Sequence, residues 1–210
     1  VLSAKRANSL PKRVLDLMIA VLALTFLSPI LLTVALMVKL SDGGPMFFGH
    51  RRAGRHGSEF RCWKFRSMAV NGDQILRRHF EEHPEALAEW RATQKLENDP
   101  RVTGIGWFLR ATSIDELPQL FNVLLGEMSI VGPRPVPRVE LNERYGKDRR
   151  YYLLVRPGIT GLWQISGRSN TTYERRVALD REYATSWTFK KDVQIILKTI
   201  PAVLKADGAR

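Results

Sequence analysis

The chain has 210 residues, of which 44% are hydrophobic and 26% are charged, so it can form one compact domain and is not an intrinsically disordered protein. Its 33 Lys and Arg against 21 Asp and Glu give a formal net charge of +12. This balance suits a polyanionic partner, meaning nucleic acid, an anionic bilayer surface or phosphorylated substrates. The single cysteine, Cys62, excludes an intrachain disulfide and a metal site made of several cysteines.

The first predicted element is an apolar segment, 17–38, which contains no charged residue. As one helix it would measure about 33 Å, enough to span a hydrocarbon core of about 30 Å. Ser28 and Pro29 lie in its middle, where proline removes a backbone donor and bends a helix. The Ser28 hydroxyl is placed to bond a carbonyl that Pro29 leaves free.

Basic residues flank both ends of this segment, and cytoplasmic flanks are the ones that carry an excess of Lys and Arg. A helix–break–helix that enters and leaves the bilayer by the same face agrees with both observations. We therefore predict a re-entrant membrane hairpin over residues 12–40, with a simple transmembrane anchor as the alternative. The remaining residues, 41–210, are predicted to form a cytoplasmic domain.

Beyond the hairpin, residues 45–50 and 59–67 are predicted to be short strands joined by a turn at 54–57. Residues 73–96 have a helical pattern, and Pro84 is expected to divide them into two helices. Near the end of the chain, apolar residues recur every three to four positions among lysines, as in a basic amphipathic helix. Such a helix lies in a bilayer interface or packs on a core, and both readings stay open. Its apolar members are Val193, Ile196, Ile200 and Leu204.

An acidic pair, Asp115 and Glu116, lies in the run with the most informative residues. Because proline is tolerated in the first turn of a helix, Pro118 predicts a helix that begins at or just before Asp115. At an N-cap, free N–H groups and the helix dipole would keep the carboxylate ionised, and they would also attract phosphate. For such a pair in isolation, an ordinary helix cap is the favoured explanation.

Arginines and glycines surround this pair in the sequence and favour a phosphate site. Arg110 precedes the pair by about one turn, Gly132-Pro-Arg-Pro135 follows it, and 156–168 mixes glycines, hydroxyls and arginines. The chain has neither a P-loop pattern nor a dinucleotide-binding glycine pattern after a strand.

Taken together, these motifs resemble those of the bacterial sugar transferases, also called monotopic phosphoglycosyl transferases. They occur in that family's order and cover nearly all of the chain from residue 12 onward. The matching pieces are Lys12-Arg13, Ser28-Pro29, Lys64-Phe-Arg-Ser-Met68, Arg110, Ser113-Ile-Asp-Glu-Leu-Pro-Gln-Leu120, Asn122, Met128-Ser-Ile-Val-Gly-Pro-Arg-Pro135, 156–168 and 192–199.

The resemblance implies a helix-rich α/β fold on the cytoplasmic face of the bacterial inner membrane. That fold is held there by a re-entrant helix–break–helix and by interfacial amphipathic helices. The implied reaction moves a sugar 1-phosphate from a UDP-sugar to undecaprenyl phosphate, releases UMP and requires Mg²⁺. It is the first membrane step of exopolysaccharide, capsule or O-antigen synthesis.

The resemblance also gives the acidic pair separate roles. Asp115 is implied to be the nucleophile that forms an aspartyl phosphosugar, and Glu116 is implied to hold the metal. The residues expected to bind substrate are Lys64, Arg66, Arg110, Arg134 and Arg156.

Several alternatives stay open. The motifs resemble those of hexose-using members, which favours galactose or glucose over a UDP-N-acetyl-sugar. A membrane-tethered, non-catalytic binding protein is the other alternative, and nucleic acid is not expected to bind because its recognition patterns are missing. Asp192 fits either a structural ion pair with a nearby lysine or catalysis. A homo-oligomer remains open, as does an additional N-terminal membrane domain of the kind that larger family members carry.

Overall fold

The computed structural model describes residues 2–93, 96–167 and 171–204. In this part of the chain, helices predominate over strands, which confirms a helix-rich α/β fold. The helices are α1 (Leu2–Arg6), α2 (Leu10–Asp42), α3 (Gly72–Glu82), α4 (Pro84–Thr93), α5 (Gly104–Thr112), α6 (Gln119–Leu125), α7 (Arg138–Arg144), α8 (Arg149–Tyr152), α9 (Tyr173–Thr185) and α10 (Phe189–Leu204). The strands are β1 (Phe47–Ala53), β2 (Glu59–Phe65), β3 (Ser129–Val131) and β4 (Gly158–Thr160).

The long helix α2 contains the whole apolar segment and continues through Ser28 and Pro29. Pro29 has no N–H to donate to Thr25, and the Ser28 hydroxyl donates to the Thr25 carbonyl at 2.8 Å instead. The expected rescue of a free carbonyl by Ser28 is thus confirmed. The helix ends at Gly43, whose φ of +72° is a left-handed conformation that glycine adopts without strain. A bend at Pro29 stays a prediction.

The middle of α2 exposes large apolar side chains. Phe26 is 78% exposed and Leu32 is 71% exposed. Among the described helices, α2 is the one that is long and apolar enough to cross a membrane. Burying so much apolar surface in lipid would remove it from water, which is the main favourable contribution to membrane insertion.

The β-hairpin that was predicted after the apolar segment is present. Its strands β1 and β2 are antiparallel, and Phe47 is opposite Phe65. The strands begin and end up to three residues from the predicted positions, and the turn lies between Ala53 and Glu59 as expected. On β2, the side chains of Phe60 and Cys62 are buried, because alternate residues of a strand face the same side. The division of the following helical region at Pro84 is also confirmed.

A second, parallel pair joins β3 to β4 and brings together two motifs that are distant in the sequence. A Cβ atom on Gly158 would lie 2.1 Å from the backbone nitrogen of Gly132, and one on Gly132 would lie 2.3 Å from the carbonyl oxygen of Arg156. Only glycine allows these backbones to approach so closely. The glycines of both motifs therefore place the segment after β3 beside the segment around β4.

A buried network of charges ties the start of α2 to the rest of the protein. Lys12 lies 2.8 Å from Asp16 on the same helix and 3.0 Å from Asp192 on α10, and each of the three side chains is at most 3% exposed. Asp192 also accepts hydrogen bonds from Tyr183 and Trp187, each at 3.0 Å. Asp192 is therefore a structural ion-pair residue, and its lysine partner is 180 positions away in the sequence.

The other carboxylate of this network holds β3. Asp16 accepts hydrogen bonds from the Ser129 hydroxyl at 2.8 Å and from the Ile130 N–H at 3.1 Å. Every polar group of the network has a partner, which is the condition under which buried charges are tolerated. The long apolar helix α2 is thus hydrogen-bonded directly to the strand that precedes the Gly-Pro-Arg-Pro motif.

The terminal helix α10 has one buried side and one exposed apolar side. Asp192 and Ile195 are buried, with 0% and 1% of their surfaces exposed. Phe189, Val193 and Leu197 form an apolar stripe on another side that is 38–62% exposed. One face therefore packs on the core, which confirms that reading, and burial of the exposed apolar face in a membrane interface stays a prediction. The side chains of Ile200 and Leu204 lie outside the described residues.

Breaking the buried ion pair should destabilise the fold strongly. We expect Asp192→Ala to cost about 3–5 kcal/mol, because it leaves Lys12 charged and with one buried partner fewer. Thermal unfolding of the detergent-solubilised protein measures this. The matched control is Lys191→Ala, which removes an ion pair with the half-exposed Glu182 and should cost less than about 1 kcal/mol. Equal losses of melting temperature in the two variants would contradict the assigned role of the network.

Candidate active site

Asp115 and Glu116 lie in a short 3₁₀ turn, Ile114–Glu116, between α5 and α6. A helix does begin just before Asp115, as predicted, but it is this 3₁₀ turn with Ser113 as its cap, and α6 itself begins at Gln119 with Pro118 as its cap. Ser113, with φ of +58°, ends α5 and redirects the chain into the turn. Asp115 is therefore not the N-cap residue of a helix, and the dipole argument does not apply to it.

Burial, rather than a helix dipole, sets the electrostatics of Asp115. The residue is 7% exposed, and this desolvation raises the pKa of its carboxyl above the ordinary value of 3.8. The positive charges of Lys64 and Arg110 counteract the rise only in part, and Glu116 adds to it. A buried carboxylate held near a cation is typical of functional sites.

Lys64, on β2, contacts both acidic side chains. Its ammonium lies 2.6 Å from Glu116 Oε1 and 3.6 Å from Asp115 Oδ2. Lys64 belongs to the Lys-Phe-Arg motif, so the structure brings together three of the residues expected at the site. Asp115 and Glu116 thus form a position that already accommodates a cation.

A small cavity of about 20 Å³ opens beside this cluster. Three of its lining residues, Lys64, Glu116 and Arg134, were predicted from the sequence, whereas Asp115 lies next to the cavity and does not line it. The full lining is Arg52, Cys62, Lys64, Glu116, Gln119, Arg134, Pro135, Ile159 and Gln164.

Arg52 is the charged lining residue that the sequence argument missed. It is opposite Phe60 in the hairpin, and the register places it two positions from the pair formed by His50 and Cys62. Residues directly opposite each other in an antiparallel pair point to the same face, as do residues two positions apart. The two strands of this β-hairpin were predicted from the sequence, but their register was not. The register is what places Arg52 on the same face as Lys64.

The guanidinium of Arg134 packs against an aromatic ring. Its guanidinium is 5.1 Å from the centre of the Trp163 ring, and the guanidinium of Arg176 is 4.9 Å from the same ring. Trp163 belongs to the 156–168 motif, so this part of the motif does reach the site. Arg168, the last residue of that motif, lies outside the described residues.

The other arginines that were expected to bind substrate do not line the cavity. Arg110 donates from Nε to the Ser67 hydroxyl at 2.9 Å and is near enough to influence Asp115. Arg66 binds both carboxylate oxygens of Asp42 and donates to the Pro45 carbonyl at 2.6 Å, which fixes the end of α2. Substrate binding by Arg66 stays a prediction, and its contacts are those of a structural residue.

Arg156 is likewise placed away from the cavity lining. Its Nε donates to the Gly126 carbonyl at 2.8 Å, and its guanidinium is 3.4 Å from the Asn8 side-chain oxygen. These bonds connect the segment before β4 to the loop after α6 and to the chain just before α2. Its role in substrate binding also stays a prediction.

The donor set at this site fits Mg²⁺ on chemical grounds. Mg²⁺ usually binds one or two carboxylates together with waters and substrate phosphates, rather than an all-protein cage. Asp115 and Glu116 supply two carboxylates, and the Glu116 side chain is 30% exposed and accessible to an ion. Among the described residues no group of three or more His, Cys, Asp or Glu side chains is placed to hold a metal.

Comparisons with known proteins agree with the motif pattern. A family model described as bacterial sugar transferase matches residues 7–206. The chain is 53% identical to the exopolysaccharide production protein ExoY of Sinorhizobium fredii, over 96% of this chain and 89% of that protein.

Longer proteins are also similar to this chain. It is 49% identical to the undecaprenyl-phosphate galactose phosphotransferase of Salmonella typhimurium and covers 43% of that protein. It is 44% identical to the UDP-glucose:undecaprenyl-phosphate glucose-1-phosphate transferase of Escherichia coli and covers 40% of it. The chain therefore corresponds to somewhat less than half of these two relatives. On the family match and these identities, the chain belongs to the bacterial sugar transferase family and is a phosphoglycosyl transferase, as its motifs predicted.

Proposed function

We propose that this enzyme transfers a hexose 1-phosphate from a UDP-sugar to undecaprenyl phosphate and releases UMP. The observation that carries the proposal is the buried Asp115 carboxylate beside Lys64, in a cluster with Glu116 and next to a cavity lined by arginines. The names of the relatives support a lipid-phosphate acceptor and a role in exopolysaccharide production. The reaction would be the first membrane step of exopolysaccharide, capsule or O-antigen synthesis.

The chemistry proceeds in two displacements at one phosphorus atom. A carboxylate oxygen of Asp115 attacks the β-phosphorus of the UDP-sugar, the bond to the bridging oxygen breaks, and UMP leaves with the electron pair. A phosphate oxygen of the lipid then attacks the same phosphorus and breaks the bond to Asp115. The lipid-linked diphosphosugar forms, and the Asp115 carboxylate is restored.

The surrounding cations make this attack feasible. A carboxylate and a diphosphate repel each other, so positive charge must offset the repulsion before the oxygen can approach the phosphorus. Lys64 lies within 3.6 Å of the attacking carboxylate, and Arg134 lines the cavity beside it. Partial burial increases the strength of these interactions because water screens them less.

We also propose that Glu116, with Asp115, holds Mg²⁺ when substrate is bound. The ion supplies additional neutralisation of diphosphate charge. Glu116 is the more accessible of the two carboxylates, and its present partner Lys64 would have to shift toward the phosphates.

The sugar is proposed to be galactose or glucose. Two similar relatives are named for galactose and glucose transfer, at 49% and 44% identity. A UDP-N-acetyl-sugar is the alternative within the same reaction. A non-catalytic binding protein is not favoured, because the acidic pair and the cavity arginines are all present.

The placement of α2 supports a re-entrant hairpin on the cytoplasmic face of the inner membrane. Asp16 near its start is bonded to Ile130, and Asp42 at its end is bonded to Arg66. As a straight helix, this stretch would measure about 39 Å. Both ends nonetheless contact one folded body, which favours a helix that returns to the same face.

Exposed apolar side chains near the site support an interfacial position. Trp107 and Phe108 of α5 are 71% and 48% exposed and lie in the helix that precedes Asp115. Together with the stripe on α10, they would enter the headgroup region and keep the site at the level of the lipid phosphate.

Asp115→Asn should reduce transfer at least about 10³-fold, because an amide cannot act as the nucleophile. UMP release from a panel of UDP-sugars measures transfer and identifies the sugar. Without lipid acceptor, the parent protein should gain the mass of one hexose phosphate and the variant should not.

Two controls accompany this substitution. Asp148→Asn, at an exposed ion pair with Arg181, should retain activity. Because burial raises the pKa of Asp115, its ionised form destabilises the fold, so the metal-free Asn variant should melt no lower than the parent. Full transfer by Asp115→Asn would refute the covalent mechanism.

Glu116→Gln should raise the Mg²⁺ concentration needed for half-maximal activity by about tenfold or more, because a neutral amide binds the ion more weakly. Titration of Mg²⁺ into chelator-treated enzyme measures this. Glu127→Gln, outside the cavity lining, is the control. An unchanged Mg²⁺ dependence in the Glu116 variant would remove it from the metal site.

The topology is testable with single cysteines, because the native Cys62 is buried and should react slowly. Ser9→Cys and Ser41→Cys lie on either side of the proposed membrane hairpin, residues 12–40. A membrane-impermeant maleimide should label both cysteines in inverted vesicles. Neither should be labelled in right-side-out vesicles, and the unsubstituted protein gives the background. Labelling of the two positions from opposite sides would establish a simple span instead.

A further inference from the structure

The Arg52 side chain has an unusual environment for a half-buried guanidinium. Within the described residues no hydrogen bond or ion pair to it is found, although Arg66 and Arg156 each have several partners. A guanidinium has five N–H donors, and a protein normally satisfies those it withdraws from water. Arg52 faces the cavity, so the missing acceptor is one that a ligand can bring.

The Arg134 side chain likewise has no hydrogen bond or ion pair within the described part of the chain. Its described contact is the Trp163 ring, which supports the flat face of the guanidinium and leaves its N–H edge available. The two guanidiniums are near enough that Arg134 lowers the pKa of Arg52, in addition to a larger effect of burial. Glu140 has the opposite effect on that pKa, and two like charges that influence each other are best accommodated when an anion binds near both.

A buried tyrosine joins the two backbone segments that carry Arg52 and Arg134. The hydroxyl of Tyr152, which is 1% exposed, is 3.1 Å from the Ala53 carbonyl and 3.3 Å from the Arg134 carbonyl. It also accepts a hydrogen bond from the Val136 N–H at 3.2 Å. Ala53 follows Arg52 directly, so one hydroxyl links the two segments that carry the guanidiniums.

A backbone bond reinforces this link. The Ala53 N–H donates to the Val136 carbonyl at 2.9 Å, so the end of β1 runs beside the Pro-Arg-Pro segment. The spacing of the two backbone segments that carry the arginines is therefore set before any ligand arrives. Preorganised donors of this kind cost little reorganisation when charge develops on a ligand.

We propose that Arg52 and Arg134, spaced by Tyr152, bind the phosphate group of the leaving nucleotide. Arg52 and Arg134 are binding residues in this assignment, and Tyr152 is a positioning residue. The assignment to the nucleotide rests on the proposed function, whereas a phosphate group as the ligand follows from the two unpartnered guanidiniums.

The geometry favours the leaving phosphate over the attacked one. In a displacement at phosphorus, the attacking and leaving oxygens lie roughly in line on opposite sides. Asp115 lies beside the cavity and does not line it, whereas Arg52 and Arg134 do. A cavity of about 20 Å³ has room for about one water, so the uracil, the sugar and most of the phosphate group lie outside it, and a single phosphate oxygen can reach the arginines.

The test is direct binding of UMP to the full chain in detergent, measured by calorimetry. Arg52→Gln should weaken UMP binding by about 10–100-fold, the loss expected for a charge-assisted hydrogen bond worth about 1.5–3 kcal/mol. Arg52→Lys should recover part of the affinity, because the charge remains and the forked geometry is lost. Arg51→Gln is the matched control, since Arg51 is exposed on the other face of β1 and should bind UMP like the parent.

Tyr152→Phe tests the positioning role. It removes one hydroxyl and should weaken UMP binding by about 5–10-fold without changing KM for undecaprenyl phosphate. A purely structural effect would lower the melting temperature without changing the UMP affinity of the folded protein. That outcome would overturn the role of Tyr152.

Two results would overturn the main proposal. One is an Arg52→Gln protein that melts like the parent and binds UMP equally tightly. The other is a raised KM for undecaprenyl phosphate with unchanged UMP binding, which would assign the arginines to the lipid headgroup. Because UMP binding requires no turnover, it is measurable even if no UDP-sugar reacts. Failure of the proposed function and failure of this inference are therefore distinguishable.

Discussion

The fold depends on a buried cluster of three charges, Lys12, Asp16 and Asp192. Removing charges from water is costly, and here the cost is offset by mutual pairing and by hydrogen bonds from Tyr183 and Trp187. The cluster joins residues from both ends of the chain, so neither α2 nor α10 can take its position without the other. An apolar anchor on a soluble domain would not need such a connection, which suggests that the position of α2 matters for the reaction.

The same cluster leads to the active site through β3. Asp16 holds the backbone of β3, and two glycines allow β3 to approach the segment around β4. The chain leaving β3 then carries Arg134 into the cavity. A displacement of α2 would thus be transmitted through Asp16 and β3 to Arg134 at the cavity. The position of the long apolar helix and the geometry of the site are in this way parts of one structure.

Much of this arrangement could be predicted from the sequence because the relevant signals are local. The uncharged segment, the hairpin with its glycine turn and the break at Pro84 depend on neighbouring residues, and the structure contains each of them. The acidic pair was located because its motif is specific. Its environment was predicted wrongly, since Ser113 adopts a left-handed conformation that propensity does not reveal.

The remaining features depend on contacts between distant parts of the chain. The partner of Asp192 was expected to be a nearby lysine and is Lys12, because burial selects partners in space rather than in sequence. Arg66 was expected to bind substrate, which stays a prediction, and the contact that the sequence did not reveal is with Asp42 at the end of α2. Arg52 was overlooked because a basic residue in a strongly basic region carries little information until the strand register is known.

Cys62 shows how the site keeps its chemistry selective. It lines the cavity beside Lys64 and Arg52, and their charges alone would favour a thiolate, a stronger nucleophile than a carboxylate. Burial dominates and raises the pKa of the thiol to about 11, so at neutral pH the sulfur stays protonated. In the proposed mechanism, a protonated thiol would not compete with the carboxylate oxygen of Asp115 for the phosphorus. The same protonation protects the sulfur from oxidation, so the site should tolerate peroxide that would inactivate an enzyme with an ionised cysteine.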